Sequence, residues 1–173
     1  MKRRAHRTST VAFVRTGLAA AFLAASLVAT SFVAVAQDQS AATTDVIFAR
    51  KTIMSSLCDK MMEIERMIAA GNIDTKTART HARAMSVMLM AFPHLFPPSS
   101  NQWKRDVNQD PVAQTLASPD LWTSFPDFYR QAGAAARAAS ALSRADNAED
   151  IKTYARELRI GCDTCHALYL EEP

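Results

Sequence analysis

The chain has 173 residues, 49% of them hydrophobic and 21% charged, with a formal net charge of +3. The basic excess belongs to the N-terminus, because residues 1–36 hold five basic side chains and no acidic one, and without them the balance is −2. The overall charge therefore gives no ground for a nucleic-acid partner, and the chain beyond residue 36 is long enough for one compact domain.

Residues 1–36 read as a secretory signal. Lys2, Arg3, Arg4, Arg7 and Arg15 precede an apolar run over about 17–35, and Ala34-Val35-Ala36 supplies a small-x-small cleavage pattern. Cleavage after Ala36 is expected, with a retained membrane anchor as the alternative because the run is just long enough to span. Arg3-Arg4 lacks the rest of a twin-arginine motif, which favours export of an unfolded chain. A short tail, 37–44, then leads into a domain over 45–173.

Val46, Ile47, Ile53, Met54, Leu57, Met61, Ile64 and Ile68 recur at steps of three, four and seven, which predicts an amphipathic helix over 45–70 ended by Gly71. Asp74 is placed to cap a second helix over 75–91, with Ala78, His81, Ala82, Met85, Val87, Met88 and Leu89 on its apolar side and Pro93 as its stop. Residues 93–123 carry five prolines and both tryptophans, Trp103 and Trp122. They read as a crossover or functional loop that packs partly on the body. No role attaches to its polar stretch, 99–110.

Ser124 with Asp127 resembles a capping arrangement, and Pro126 falls in a first turn. A third helix is expected to run to about 144, Ala-rich over 132–141. Asn147 caps a last helix that runs to about 170. Four amphipathic helices without a strand or a repeat predict an all-α, antiparallel four-helix bundle, in which cofactor sites lie between facing helices.

The last helix carries Cys162-Asp163-Thr164-Cys165-His166. Positions i, i+3 and i+4 share one helical face. Two thiols there add across the vinyl groups of a haem while the imidazole binds its iron, so the spacing is the attachment signature of a c-type haem. A redox dithiol is the first alternative, but that role usually opens a helix after a strand. A zinc site is the second, but no other Cys-x-x-Cys exists and Cys58, His81 and His94 are scattered. One covalent haem c in the bundle core near the C-terminal helix is the expectation, and it fits an exported chain. Cys58 reads as a small buried apolar residue, with a thiol that pairs two chains as the alternative, and His81 and His94 as a helix-face and a loop histidine.

Four segments together resemble the cytochrome c prime family of haem-binding bundles. They are Arg50-Lys51-Thr52-Ile53-Met54, Phe96-Pro97, Thr115-Leu116-Ala117-Ser118-Pro119-Asp120-Leu121-Trp122, and Cys162 to His166 with Tyr169 behind. The resemblance implies a periplasmic protein with Cys162 and Cys165 as haem thioethers, His166 as proximal iron ligand, and often a homodimer. It leaves the distal side open. Low-spin members carry electrons with a methionine of the first helix as ligand, and Met54 falls there; open-site members bind NO or CO.

A thioether opposite an imidazole raises the reduction potential. Met61 and Met88 are lesser candidates, and core filling is the alternative role for Met54. Arg50, at i and i+4 with Met54, pairs a haem propionate by the same resemblance, with a solvated arginine as the alternative. Cys58 continues that face one turn on and is placed to line the pocket, though not as a ligand. Leu170 stands where the family usually has a basic residue, which weakens the gas-binding reading and makes the proximal side more apolar.

The expected function is that of a periplasmic electron carrier, not an enzyme, exchanging electrons with redox partner proteins. A homodimer is possible, and no membrane contact is expected after cleavage. The alternative is a five-coordinate protein that binds NO or CO. A peroxidase-like reading lacks a positioned acid or base.

Overall fold

The structure is a computed structural model that describes residues 17–103 and 114–171. It divides into two units, Met1–Ala41 and Ala42–Pro173. Lys2, Arg3, Arg4, Arg7 and Arg15 of the expected signal lie outside the described residues, as does most of the 99–110 stretch. Among the described residues, no helix is long and apolar enough to cross a membrane.

Helix α1 spans Gly17–Ala69, so the expected tail at 37–44 is helical. Nothing in that tail is Gly or Pro, and no residue there interrupts the intrahelical ladder. α1 ends at Gly71, whose φ of 67° is the left-handed conformation that glycine adopts without a Cβ clash. The N–H groups of Gly71 and Asn72 return to the carbonyls of Ile68 and Met67 at 3.1 and 3.2 Å, closing the helix end.

α2 spans Thr75–Ala91, as its pattern predicts, and Asp74 caps it by accepting from the N–H groups of Lys76 and Thr77. The Thr77 hydroxyl, and then these N–H groups, hold the Asp74 carboxyl below its ordinary value of 3.8. A carboxylate with a depressed pKa stabilises the fold above its unfolded pKa, and that contribution is lost as the pH falls through the folded one. Asp74→Asn keeps the cap acceptor but not the charge. The wild type is therefore expected to exceed it in urea midpoint at about pH 6, with the gap closing as the pH falls through and below the ordinary carboxylate range; a pH-independent gap would contradict this.

Two 3₁₀ turns, Phe92–Leu95 and Pro98–Ser100, begin the crossover, and a short helix α3, Asp120–Thr123, ends it. α4 spans Phe125–Leu142 and α5 spans Ala148–Tyr169, the latter capped by Asn147, which accepts from the Asp150 N–H at 2.9 Å. The capping expectation at Ser124 is not met. Ser124 follows α3 directly with φ −114° and ψ 30°, its hydroxyl caps nothing, and its carbonyl accepts from Asp127 and Phe128 instead. Both tryptophans pack as expected, Trp103 donating to the Glu171 carbonyl at 3.1 Å and Trp122 to that of Pro97 at 3.3 Å.

Residues 42–69 of α1 form the four-helix bundle with α2, α4 and α5. Leu57, Met61 and Ile64 meet Ala82, Met85, Ala136, Ala139, Ile151 and Leu158 in one core. A second, aromatic cluster of Phe92, Phe96, Phe128 and Tyr169 closes one end, and Ile53 and Met54 pack against both. Arg159 of α5 grips Glu65 of α1 through two contacts of 2.7 Å. Val87, placed on the apolar side by its hydrophobicity, is 59% exposed. It lies two residues from both Met85 and Leu89, a rotation of about 200° that turns it away from the core. Among the described residues the only strand-like pairing is an isolated bridge between Ala117 and Leu170.

Candidate haem site

The cysteine-histidine face of α5 looks into a cavity of about 480 Å³. Cys162, Cys165 and His166 line it together with Arg50, Met54 and Cys58 of α1. Met85 and Leu89 of α2, Phe128, Ala132 and Ala135 of α4, and Leu116 and Ala117 of the crossover complete its walls. Small residues let the helices approach here: a Cβ on Gly161, just before Cys162, would stand 3.7 Å from the Ala135 Cβ. The helical spacing thus places the two thiols and the imidazole where a single planar group can meet all three.

Both thiols are half-buried, and burial is the main cause that pushes them up, Cys165 to about 11. They are protonated at neutral pH, the opposite of the acidic thiol that a redox dithiol uses. Among the described residues no group of three or more His, Cys, Asp or Glu side chains is arranged to hold a metal ion, so the zinc alternative finds no second half.

The last turn of α5 is tied down on both sides. The Tyr169 hydroxyl donates to Asp127 at 2.7 Å, and its ring stands edge-on to Phe128 with centroids 5.5 Å apart. Asp127 also pairs with Arg130. Ser118 N–H donates to the Tyr169 carbonyl and Glu171 N–H to that of Leu116, each at 2.9 Å. Leu170 leaves the helix as its C-cap and lines the cavity.

Arg50 is only 4% exposed, which overturns the solvated alternative. Its Nη1 donates to Ser100 Oγ at 3.1 Å, and its Nη2 to Thr115 Oγ1 at 3.2 Å and the Ser100 carbonyl at 3.4 Å. The guanidinium stands 4.5 Å from the Phe96 ring centroid and 5.7 Å from that of Trp122. No carboxylate among the described residues pairs with it. Burial lowers its pKa to about 10, so it stays charged at neutral pH. A buried cation without a counter-charge among the described residues is costly, and the carboxylates of haem would offset that cost. The thiol pair, the imidazole, the apolar walls and this cation together fit haem c.

Other expectations have mixed outcomes, and His81 on α2 and His94 in the crossover stand as expected. Cys58 is exposed rather than buried, because it follows Leu57 by 100° of helix and comes to the cavity rim. Met61 lines the cavity, but Met88 packs against the core and is absent from the lining. His81 and His94 are also absent, and His94 is exposed with its ring edge-on to Tyr129. Ser100, Thr115 and Asp127 are parts of the site that sequence reasoning missed. Thr115 lies within a segment shared with the family, whereas nothing local distinguishes Ser100.

This fold and this site define a haem c protein of the four-helix-bundle class. A family model described as Cytochrome C' matches residues 45–169, and the chain belongs to that family; it binds covalently attached haem c. The fold is similar to that of cytochrome c' from Thermochromatium tepidum, with 19% identity, TM-score 0.67, and 75% of this chain and 97% of that one covered. It is also similar to cytochrome c' from Rhodopseudomonas palustris, with 22% identity, TM-score 0.64, and coverage of 74% and 97%. A third similar structure is a cytochrome c' with an unusual ligand-controlled dimer dissociation, at 19% identity, TM-score 0.65, and coverage of 75% and 97%. No curated protein matches the chain.

Proposed function

We propose that this protein is a periplasmic electron carrier rather than an enzyme. In this reading residues 1–36 direct export and are removed, and 45–173 form the cytochrome domain. Cys162 and Cys165 hold the haem by thioethers, His166 is the proximal ligand, Met54 the distal ligand, and Arg50 pairs a propionate. Haem c, when bound, supplies a one-electron iron couple. The chain's own residues set its surroundings. Phe92, Phe96, Phe128 and Leu121 exclude water from one end of the cavity, and the bonds to Tyr169 and Leu170 hold the turn that carries His166.

The observation that carries this reading is that Met54 and His166, from different helices, line the same cavity. A thioether and an imidazole facing one space suit a closed, six-coordinate centre that changes oxidation state with little rearrangement. Redox proteins of the periplasm are the proposed partners, and a homodimer is included because one structural neighbour is described as a dimer.

A second reading, five-coordinate haem binding NO or CO, is favoured by the packing of Met54 against both core clusters, which gives that side chain a role without iron. Spectra of Met54→Ala decide between them. The oxidised wild type is expected to be low-spin with a weak band near ~695 nm; the substitution removes the band, makes the haem high-spin and lowers its potential. High-spin spectra in both proteins would leave gas binding as the function.

A further inference from the structure

The outer side of the α2–α4 pair carries a concentration of positive charge that the haem site does not use. The two helices run antiparallel in a register fixed at three levels. Arg79 Nε donates to the Ser143 carbonyl at 3.1 Å, Ser86 Oγ to that of Ala136 at 3.0 Å, and the rings of His94 and Tyr129 meet at 6.0 Å. With Ala78, Ala82, Met85 and Leu89 buried on one side, and Ala132, Ala135, Ala139 and Leu142 on the other, the 3.6-residue period turns Lys76, Arg83 and Met90 outward on the α4 side. The same period turns Arg137 outward on the α2 side, and Arg144 follows, exposed, in the turn after α4.

Lys76, Arg83, Arg137 and Arg144 are all exposed, and none is within 4.0 Å of a carboxylate oxygen among the described residues, although the charge of Lys76 reaches Asp74. Arg79 pairs with Asp146 at 3.5 Å; at the far end Arg130 pairs with Asp127. α2 contains three cations and no acidic residue, in a chain whose balance from residue 37 on is −2.

Two further features make this face more than a charged strip. Thr75, Lys76, Arg79, Thr80 and Arg83 line a concavity of about 390 Å³. Beyond the cations the face ends in Met90, 58% exposed, and Tyr129, 49% exposed, residue types that, with arginine, are enriched where proteins bind one another. Small residues, Ser86, Gly133 and Ser140, stand between the cations, and the side chains of Arg137 and Arg144 lie back over Gly133 and Ser140. Guanidinium groups bordered by exposed Met90 and Tyr129 suit an acidic protein surface.

We propose that the outer α2–α4 face is the docking surface for an acidic protein partner. Guanidinium groups of Arg83 and Arg137 are placed to take carboxylates, and Met90 and Tyr129 to exclude water at one end. Met85, Leu89, Ala132 and Ala135 of the same two helices line the haem cavity, so a protein seated here stands one helix layer from it. That this partner exchanges electrons rests on the electron-carrier reading; the docking itself does not.

The test uses the haem-loaded protein and a fluorescent 20-residue polyglutamate peptide, followed by anisotropy at low salt and by amide shifts. Binding is expected to weaken with added salt and to shift amides within 76–90 and 129–144. Arg83→Glu with Arg137→Glu is expected to weaken it at least about tenfold. Lys152→Glu with Arg156→Glu on α5 makes the same change in net charge and is expected to alter it less than about twofold.

Unchanged haem and far-ultraviolet spectra verify that both double variants fold. No binding, equal weakening by the two pairs, or shifts confined to α1 and α5 would each overturn the proposal. So would binding to phosphatidylglycerol vesicles that depends on Arg83 and Arg137 in a protein that ignores the peptide, since the face would then be a lipid surface. The peptide carries no electrons, so loss of the electron-carrier reading by the Met54→Ala spectra leaves this result standing.

Discussion

A chain carrying Cys162→Ser and Cys165→Ser is expected to lose essentially all covalent haem. Both thiols stand on one face of α5 against the same cavity, and no third route to a thioether is offered there except Cys58, on α1 at the rim. The protein should run colourless on a denaturing gel stained for haem, and solvent should extract any haem that it holds. The effect extends to the fold. A cavity of about 480 Å³ walled by Met85, Leu89, Phe128 and Ala135 is apolar space that the haem would fill. Leaving it to water forfeits several kcal/mol of burial, which lowers the thermal midpoint by roughly 10 °C or more. Haem still attached to the double variant would contradict the assignment of these residues.

Arg50→Met is expected to act in opposite directions on the haem-free and haem-loaded protein. Without haem, Arg50 is a buried cation with no anion among the described residues, held by Ser100, Thr115 and the rings of Phe96 and Trp122. Methionine keeps the ring contacts, while Ser100 Oγ still donates to the Pro97 carbonyl and Thr115 Oγ1 still accepts from Ala117. The haem-free chain should therefore be unchanged or more stable by about 1–3 kcal/mol. With haem bound, the proposed propionate pair loses its cation and stability is expected to fall instead. Removing positive charge near the iron also favours the ferric state, so the potential should drop by roughly 30–60 mV, about 0.7–1.4 kcal/mol for one electron. Urea unfolding of both forms and a redox titration measure this. Equal destabilisation of both forms would show that Arg50 only anchors the crossover.

The helices were legible because their signals are local. Asp74 and Asn147 cap, Gly71 stops, and the three-and-four spacing of Leu57, Met61 and Ile64 fixes which face is buried. Errors came where chemistry was read without direction. Val87 is apolar but points outward, Cys58 is small and apolar but reaches the cavity rim, and Ser124 has a capping side chain but follows α3 without the backbone that capping needs. Met88 and Met61 looked alike as candidates, and only their neighbours separate them.

By itself the sequence determined that two thiols and an imidazole share a face of one helix, because i, i+3 and i+4 is a property of that helix alone. It also determined the family and, from four amphipathic stripes, the bundle. The tertiary structure decided what opposes that face. Arg50 became a buried charge only because Ser100 and Thr115 close over it from 50 and 65 residues away. The turn that carries His166 is fixed by distant groups, among them Asp127, 42 residues before Tyr169, which accepts its hydroxyl. The physical difference is range: a helical face follows from the backbone period within a few residues, whereas the burial of a charge depends on which distant segments exclude water from it.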